Sequence, residues 1–135
     1  RALEMYGQFC LLTQGLDSAN LDLAKLPEPL RSDYEKRRNE KGKIQIGMVE
    51  DYELLAKLRH PVGQTWQEQK VRVLNALIKR NFSFLAHGVE PLAPADYESV
   101  KETIWTFIQA CDEVQKIKKG LSVSLKINEQ LQKVL

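Results

Sequence analysis

A chain of 135 residues fits one domain and can bury roughly two thirds of its unfolded surface, so it needs no disulfide to fold. Its 20 basic and 18 acidic residues leave a net charge of +2, which by itself announces no nucleic-acid binder and makes any electrostatic argument a local one. No apolar run is long enough to cross a bilayer, and the opening RALEMYGQFCLLTQ lacks the basic start, apolar stretch and small-residue cleavage site of a signal peptide. The expected location is the cytoplasm. Cys10 and Cys111 lie far apart among apolar residues, with no CxxC and no Cys/His cluster, so reduced core thiols are expected and neither a metal site nor a cofactor is.

The elements read as helices throughout, punctuated by Pro and Gly. The first is expected over residues 2–12, burying Leu3, Tyr6 and Cys10; it starts without a capping residue behind Arg1, as a piece cut from a longer protein would. After LPEP, a charged helix is expected over residues 30–38, ending in NEKGK. A third covers residues 48–58 and is stopped at His60-Pro61, because the residue before a proline is pushed out of helical geometry. The longest pattern runs from Thr65 to Leu85 and is closed by Gly88. Pro94 then opens a helix in which Tyr97, Val100, Ile104, Ile108, Cys111 and Val114 recur at three and four, expected to end at Lys118, Lys119 and Gly120. The tail LSVSLKINEQLQKVL alternates like a strand in its first half and reads as helix in its second; one short strand cannot build a sheet, so helix is expected. The class is all-α, an antiparallel bundle of five to six helices forming a single domain over residues 1–135.

The stretch RNFSFLAHGVEP raises the functional question. At roughly 100° per residue, Leu74, Ile78, Phe82 and Leu85 fall within about 60° of one another when measured from Val71, the stripe expected to face the core. Arg80 and His87 return to within about 20° of each other, nearly opposite that stripe, with Ser83 beside them and Asn81 toward its edge. Val73, Ala76, Leu77 and Phe84 lie on or near the same outward side, where water alone would favour Lys and Glu. The helix therefore reads as having two buried faces, the second covered by another element or a second copy of the chain, whose two-fold axis would bring both Arg80/His87 pairs into one cleft.

RNFSFLAH matches the R-x4–6-H signature of HEPN domains, and RNFSFLAHGVEPLAPADYESV further resembles the matching region of CRISPR-associated ancillary ribonucleases that join a Rossmann-like CARF sensor to a C-terminal HEPN domain. The similarity covers most of the chain at fold level and residues 80–100 at motif level. It implies a metal-independent endoribonuclease acting on single-stranded RNA as a homodimer, with Arg80 and His87 catalytic and Asn81 the accompanying polar residue; Ser83, beside them on the helix, is the candidate for touching substrate. It also implies an upstream sensor domain, absent from this chain, through which cyclic oligoadenylate would act in antiviral defence.

The residue types suit that chemistry. RNA carries its own nucleophile, the 2′-hydroxyl, so an enzyme need only align it, balance charge and move protons. A guanidinium forks onto phosphate oxygens, and an imidazole, with an ordinary pKa of about 6.5, serves as acid or base near neutrality. Two histidines at a dimer axis could divide the two proton roles, or only bind phosphate while alignment does the rest.

Other readings stand beside these. Arg80 and His87 are also what a helix C-terminus attracts, and a non-enzymatic dimerisation or nucleotide-binding module of the same fold would hold phosphate with the same pair. Ser83 reads equally as structural, and His60 as a helix stop. Lys36, Arg37, Arg38, Lys41 and Lys43 could track an RNA backbone, but Glu35 and Glu40 dilute them and a solvated surface is the better expectation. Trp66, Trp105 and Phe107 are expected in the core rather than stacked on bases.

Overall fold

A computed structural model describes the backbone of residues 1–85 and 93–134, and the side chains of residues 1–80 and 93–116. The order is α1 (Ala2–Thr13), a 3-10 turn (Leu23–Lys25), α2 (Glu28–Glu35), α3 (Met48–Lys57), α4 (Pro61–Leu85) and α5 (Pro94–Val134). The class is all-α: among the described residues no strand forms, and the one β-type pairing is an isolated antiparallel bridge between Arg38 and Ile44. No helix among them is long and apolar enough to cross a membrane. The chain divides into two compact units, residues 1–67 and 68–135, with the boundary inside α4.

In the first unit α1 buries Leu3, Gly7, Cys10 and Leu11, while Tyr6, expected in the core, is half-buried. Gly7 is where α3 comes closest: a Cβ there would stand 3.0 Å from the Tyr52 ring and 3.4 Å from Asp51 Cβ. The Tyr52 hydroxyl donates to the Leu3 carbonyl at 2.6 Å, and its ring stacks on Trp66 with centroids 4.9 Å apart. Such a ring pair adds about 1 kcal/mol beyond the area it buries. Glu53 then clasps the start of α4, accepting from Trp66 Nε1 at 3.0 Å and from Gln67 Nε2 at 2.8 Å. Cys10 and Cys111 are both free and buried, and burial pushes the Cys10 thiol up to about 11 against the lowering effect of a hydrogen bond with Tyr6.

Two helix ends in this unit use one device. After α1, Gly15 N–H donates to Leu12 and Leu16 N–H to Leu11, a Schellman closure with Gly15 at φ 78°. After α3, Arg59 N–H donates to Ala56 and His60 N–H to Leu55, the same closure with Arg59 at φ 58° where glycine is the low-energy choice. His60 does more than stop α3, because its Nδ1 accepts from Val62 N–H at 3.2 Å and caps the next helix. α4 thus begins at Pro61 rather than Thr65, proline being at ease in a first turn whose N–H has no partner to lose.

The α2–α3 loop is tied down at several points. Leu21 N–H donates to Ile44 and Ile46 N–H to Ser18, both at 2.9 Å, which sinks Ile44 and Ile46 into the core. Asn39 Oδ1 accepts from the N–H groups of Lys41 and Lys43, both at 3.0 Å, closing the tip. α3 opens on Gly47, whose N–H donates to Glu50 Oε2 at 3.0 Å, one half of a capping box.

Among the described side chains of the second unit, those at 0% exposure are Val73, Phe107 and Cys111, with Val100 at 7%. The expected α4 core stripe fails at Val71 and Ile78, which are 68% and 51% exposed, while Leu74 is half-buried. On α5, Tyr97 and Trp105 are likewise exposed, the latter against expectation. α5 does not end at Gly120 but continues to Val134 as one helix of 41 residues, so the tail is helical. A lone glycine costs only about 1 kcal/mol in a helix, too little to break one this long.

The least comfortable group is Asp51, fully buried with neither carboxylate oxygen hydrogen-bonded among the described residues. Burial, with the nearby Glu4 charge adding to it, raises its pKa from 3.8 to about 7. A raised folded pKa means the neutral acid is the form the fold favours. Its contribution is complete below the unfolded value and is lost as pH rises through the folded one. Between pH 5 and 8 wild type should lose about 3 kcal/mol relative to Asp51→Asn, read from urea midpoints across that range; parallel pH profiles would show that Asp51 is already solvated. At Gly63, an added Cβ would fall inside the backbone of Leu55 and Ala56. Gly63→Ala should therefore destabilise by on the order of 3 kcal/mol at unchanged m-value, and an unchanged midpoint would refute the close approach.

Candidate functional site

α4 carries three of the four predicted site residues into its last two turns. Arg80 is exposed, and Asn81 and Ser83 follow on the same helix backbone. Their register puts Ser83 about 60° and Asn81 about 100° from Arg80 around the axis. The side chains of Asn81 and Ser83, and the whole of His87, lie outside the described residues, as do Phe82, Leu85 and Gly88 in their predicted roles.

The side of α4 that bears Arg80 differs from the sequence expectation. Val73, at 0% exposure, sits about 20° from Arg80 around the helix, whereas the exposed Val71 and Ile78 lie opposite. Arg80 is therefore on the buried side of α4, reaching solvent near its end. The wheel misassigned the sides because this helix is apolar on both, and periodicity cannot rank two such stripes. Lys79, next to Arg80, forms an ion pair with Asp96. Asp96 also sits in the first turn of α5, where the helix dipole favours an anion. The pair holds the end of α4 beside the start of α5, and the segment carrying His87 joins those two ends.

The basic run after α2 divides into two kinds of residue. Arg38 forks onto Glu35 at 2.7 and 2.8 Å and donates to the Gly42 carbonyl at 2.7 Å, so it staples the loop to α2. That hydrogen bond with Arg38 holds the Glu35 carboxyl below its ordinary range. Arg37 pairs with Glu50 and lies over the buried Tyr34 ring, while Lys36 reaches Asp33 at 3.8 Å. Lys41 and Lys43 remain exposed at the tip. Sequence reasoning could not see this division, because which acid meets which base depends on the fold.

Of the aromatic residues weighed as base-stacking platforms, Trp66 and Phe107 are at 0% exposure and only Trp105 is open to solvent, at 59%. Asp51 went unremarked in the sequence, although its spacing of four from Leu55 places it on the buried face of α3. Among the described residues no group of three His, Cys, Asp or Glu side chains is placed to hold a metal ion.

Comparison with curated proteins and with solved structures found no significant match. A family model does match, described as the Csm6 HEPN domain, over residues 1–111. That span takes in all of the first unit and the α4–α5 region with Arg80 and His87. Covering most of the chain, the match shows that this protein belongs to the Csm6 HEPN domain family, the HEPN domains of CRISPR-associated ribonucleases.

Proposed function

We propose that this domain is a metal-independent endoribonuclease that cuts single-stranded RNA. The observation that carries the reading is the family match, whose span includes the R-N-x5-H stretch from Arg80 to His87. That Arg80 is an exposed residue supports it.

The chemistry follows from the residue types. Arg80 forks onto the scissile phosphate and balances the charge that grows in the transition state. His87 moves the protons, taking one from the 2′-hydroxyl or delivering one to the leaving 5′-oxygen. The 2′-oxygen bonds to phosphorus as the bond to the 5′-oxygen breaks, leaving a 2′,3′-cyclic phosphate and a 5′-hydroxyl. One imidazole serves poorly as base and acid in a single step, so two copies of the chain, each supplying Arg80 and His87, share the work. Asn81 orients Arg80, and Ser83 lies near the bound strand. An upstream CARF domain that binds cyclic oligoadenylate would regulate the nuclease, in the cytoplasm, during antiviral defence.

With a fluorogenic RNA in EDTA, His87→Ala and Arg80→Ala should each lower the cleavage rate by on the order of 100- to 10,000-fold while the circular dichroism stays helical. Full activity in either variant would remove that residue from the mechanism. Methylating the 2′-oxygen at the cut site should abolish cleavage in wild type, and continued cutting there would exclude the 2′-hydroxyl as nucleophile. A wild type that binds RNA without cutting it would favour a phosphate-binding module of the same fold.

A further inference from the structure

The first unit carries exposed cations that have no acidic partner among the described residues. Each acid around the α2–α3 loop except Glu40 is committed: Glu35 to Arg38, Glu50 to Arg37, Asp33 to Lys36. Lys41 and Lys43 stand exposed on either side of Gly42, at a tip closed by the Asn39 side chain, and neither has an acidic partner among the described residues. The end of α3 joins them. Lys57 Nζ lies 5.1 Å from the centroid of the Tyr34 ring, the ring over which Arg37 lies at 5.7 Å. The end of α3 and the base of the loop therefore meet on Tyr34.

Arg59 supplies an independent observation. It occupies the left-handed position of a helix closure at φ 58°, whereas the same closure after α1 uses Gly15. Glycine there would relieve the backbone, yet the position holds a long, exposed, charged side chain with no ion pair among the described residues. Strain kept at an exposed position points to a use for the side chain.

We propose that Lys41, Lys43, Lys57 and Arg59 form a surface that binds the phosphate backbone of single-stranded RNA, separate from the Arg80/His87 site. This rests on the nuclease reading for the identity of the polyanion. Three of the four are lysines, point charges on flexible stems, which suits a backbone held without regard to base sequence. The surface anchors the strand and contributes nothing to the cut itself.

The test is anisotropy of a fluorescein-labelled oligouridine titrated with the full chain carrying His87→Ala, at several salt concentrations. Replacing Lys41, Lys43 and Lys57 together by Ala should raise Kd about tenfold or more. It should also flatten the slope of log affinity against log salt by about 2, roughly 0.7 for each lost phosphate contact. Arg59→Gly should weaken binding while the melting temperature holds or rises, a combination that a purely structural arginine would not give. Unchanged Kd and slope in the triple variant would overturn the proposal, as would an equal loss from Lys25, Lys101 and Lys116 replaced together. Cleavage is scored separately in the wild type. RNA bound through this surface but never cut would defeat the nuclease reading alone, and RNA cut with binding indifferent to these residues would defeat the surface alone.

Discussion

Tyr52 is the residue on which the first unit turns. Its ring presses against Gly7 on one helix and stacks on Trp66 of another, while its hydroxyl is consumed by the Leu3 carbonyl. A smaller side chain would leave a void between three helices, and a Cβ at Gly7 would crowd the ring at 3.0 Å. Helix α3 is therefore gripped on both sides, by α1 at Gly7 and by α4 at Gly63, and in each case the absence of a Cβ allows the approach. Asp51 is the cost of that closeness: it lies one position before Tyr52, in the same contact, fully buried and with no hydrogen-bond partner for its carboxyl among the described residues.

The second unit is organised differently. Arg80 comes near the end of a long helix whose buried side chain, Val73, lies two turns earlier, so the arginine is oriented by the helix and exposed by its end. The Lys79–Asp96 ion pair adds a tether between α4 and α5 on either side of the segment carrying His87. It is a modest one, since both groups are substantially exposed and pairs of this kind contribute at most about 1 kcal/mol. The larger constraint is covalent and helical, in the length of α4 and the start of α5 at Pro94.

Much of the fold was legible in the sequence. Proline and glycine marked the breaks, and α1, α3 and the start of α5 fell close to their expected bounds because a single amphipathic pattern fixed each one. The failures have separate causes. α4 is apolar on two sides, so its pattern could not tell that Val73 would be buried and Val71 exposed. Pro61 was read as an end when it is a beginning, because His60-Pro61 carries both signals at once. Gly120 was read as a stop, but length favours continuation over the small penalty of one glycine. For the site, the family resemblance was legible in RNFSFLAH and is upheld by the family match, whereas the division of the basic run into stapled and displayed cations was not. Pairing across the chain is a property of the folded state and leaves no local trace.

Glu50 links the loop and the core in a way neither shows alone. One carboxylate both satisfies the first N–H of α3, through Gly47, and holds Arg37 at the root of the basic loop. The loop root and the helix start thus share one fastener, and their energies cannot add independently. A phosphate that drew Arg37 away would leave Glu50 to the helix alone, while a frayed first turn would free Glu50 for the arginine. Asp51 is the next residue along, so a tug at the surface is felt one peptide bond from a fully buried carboxyl.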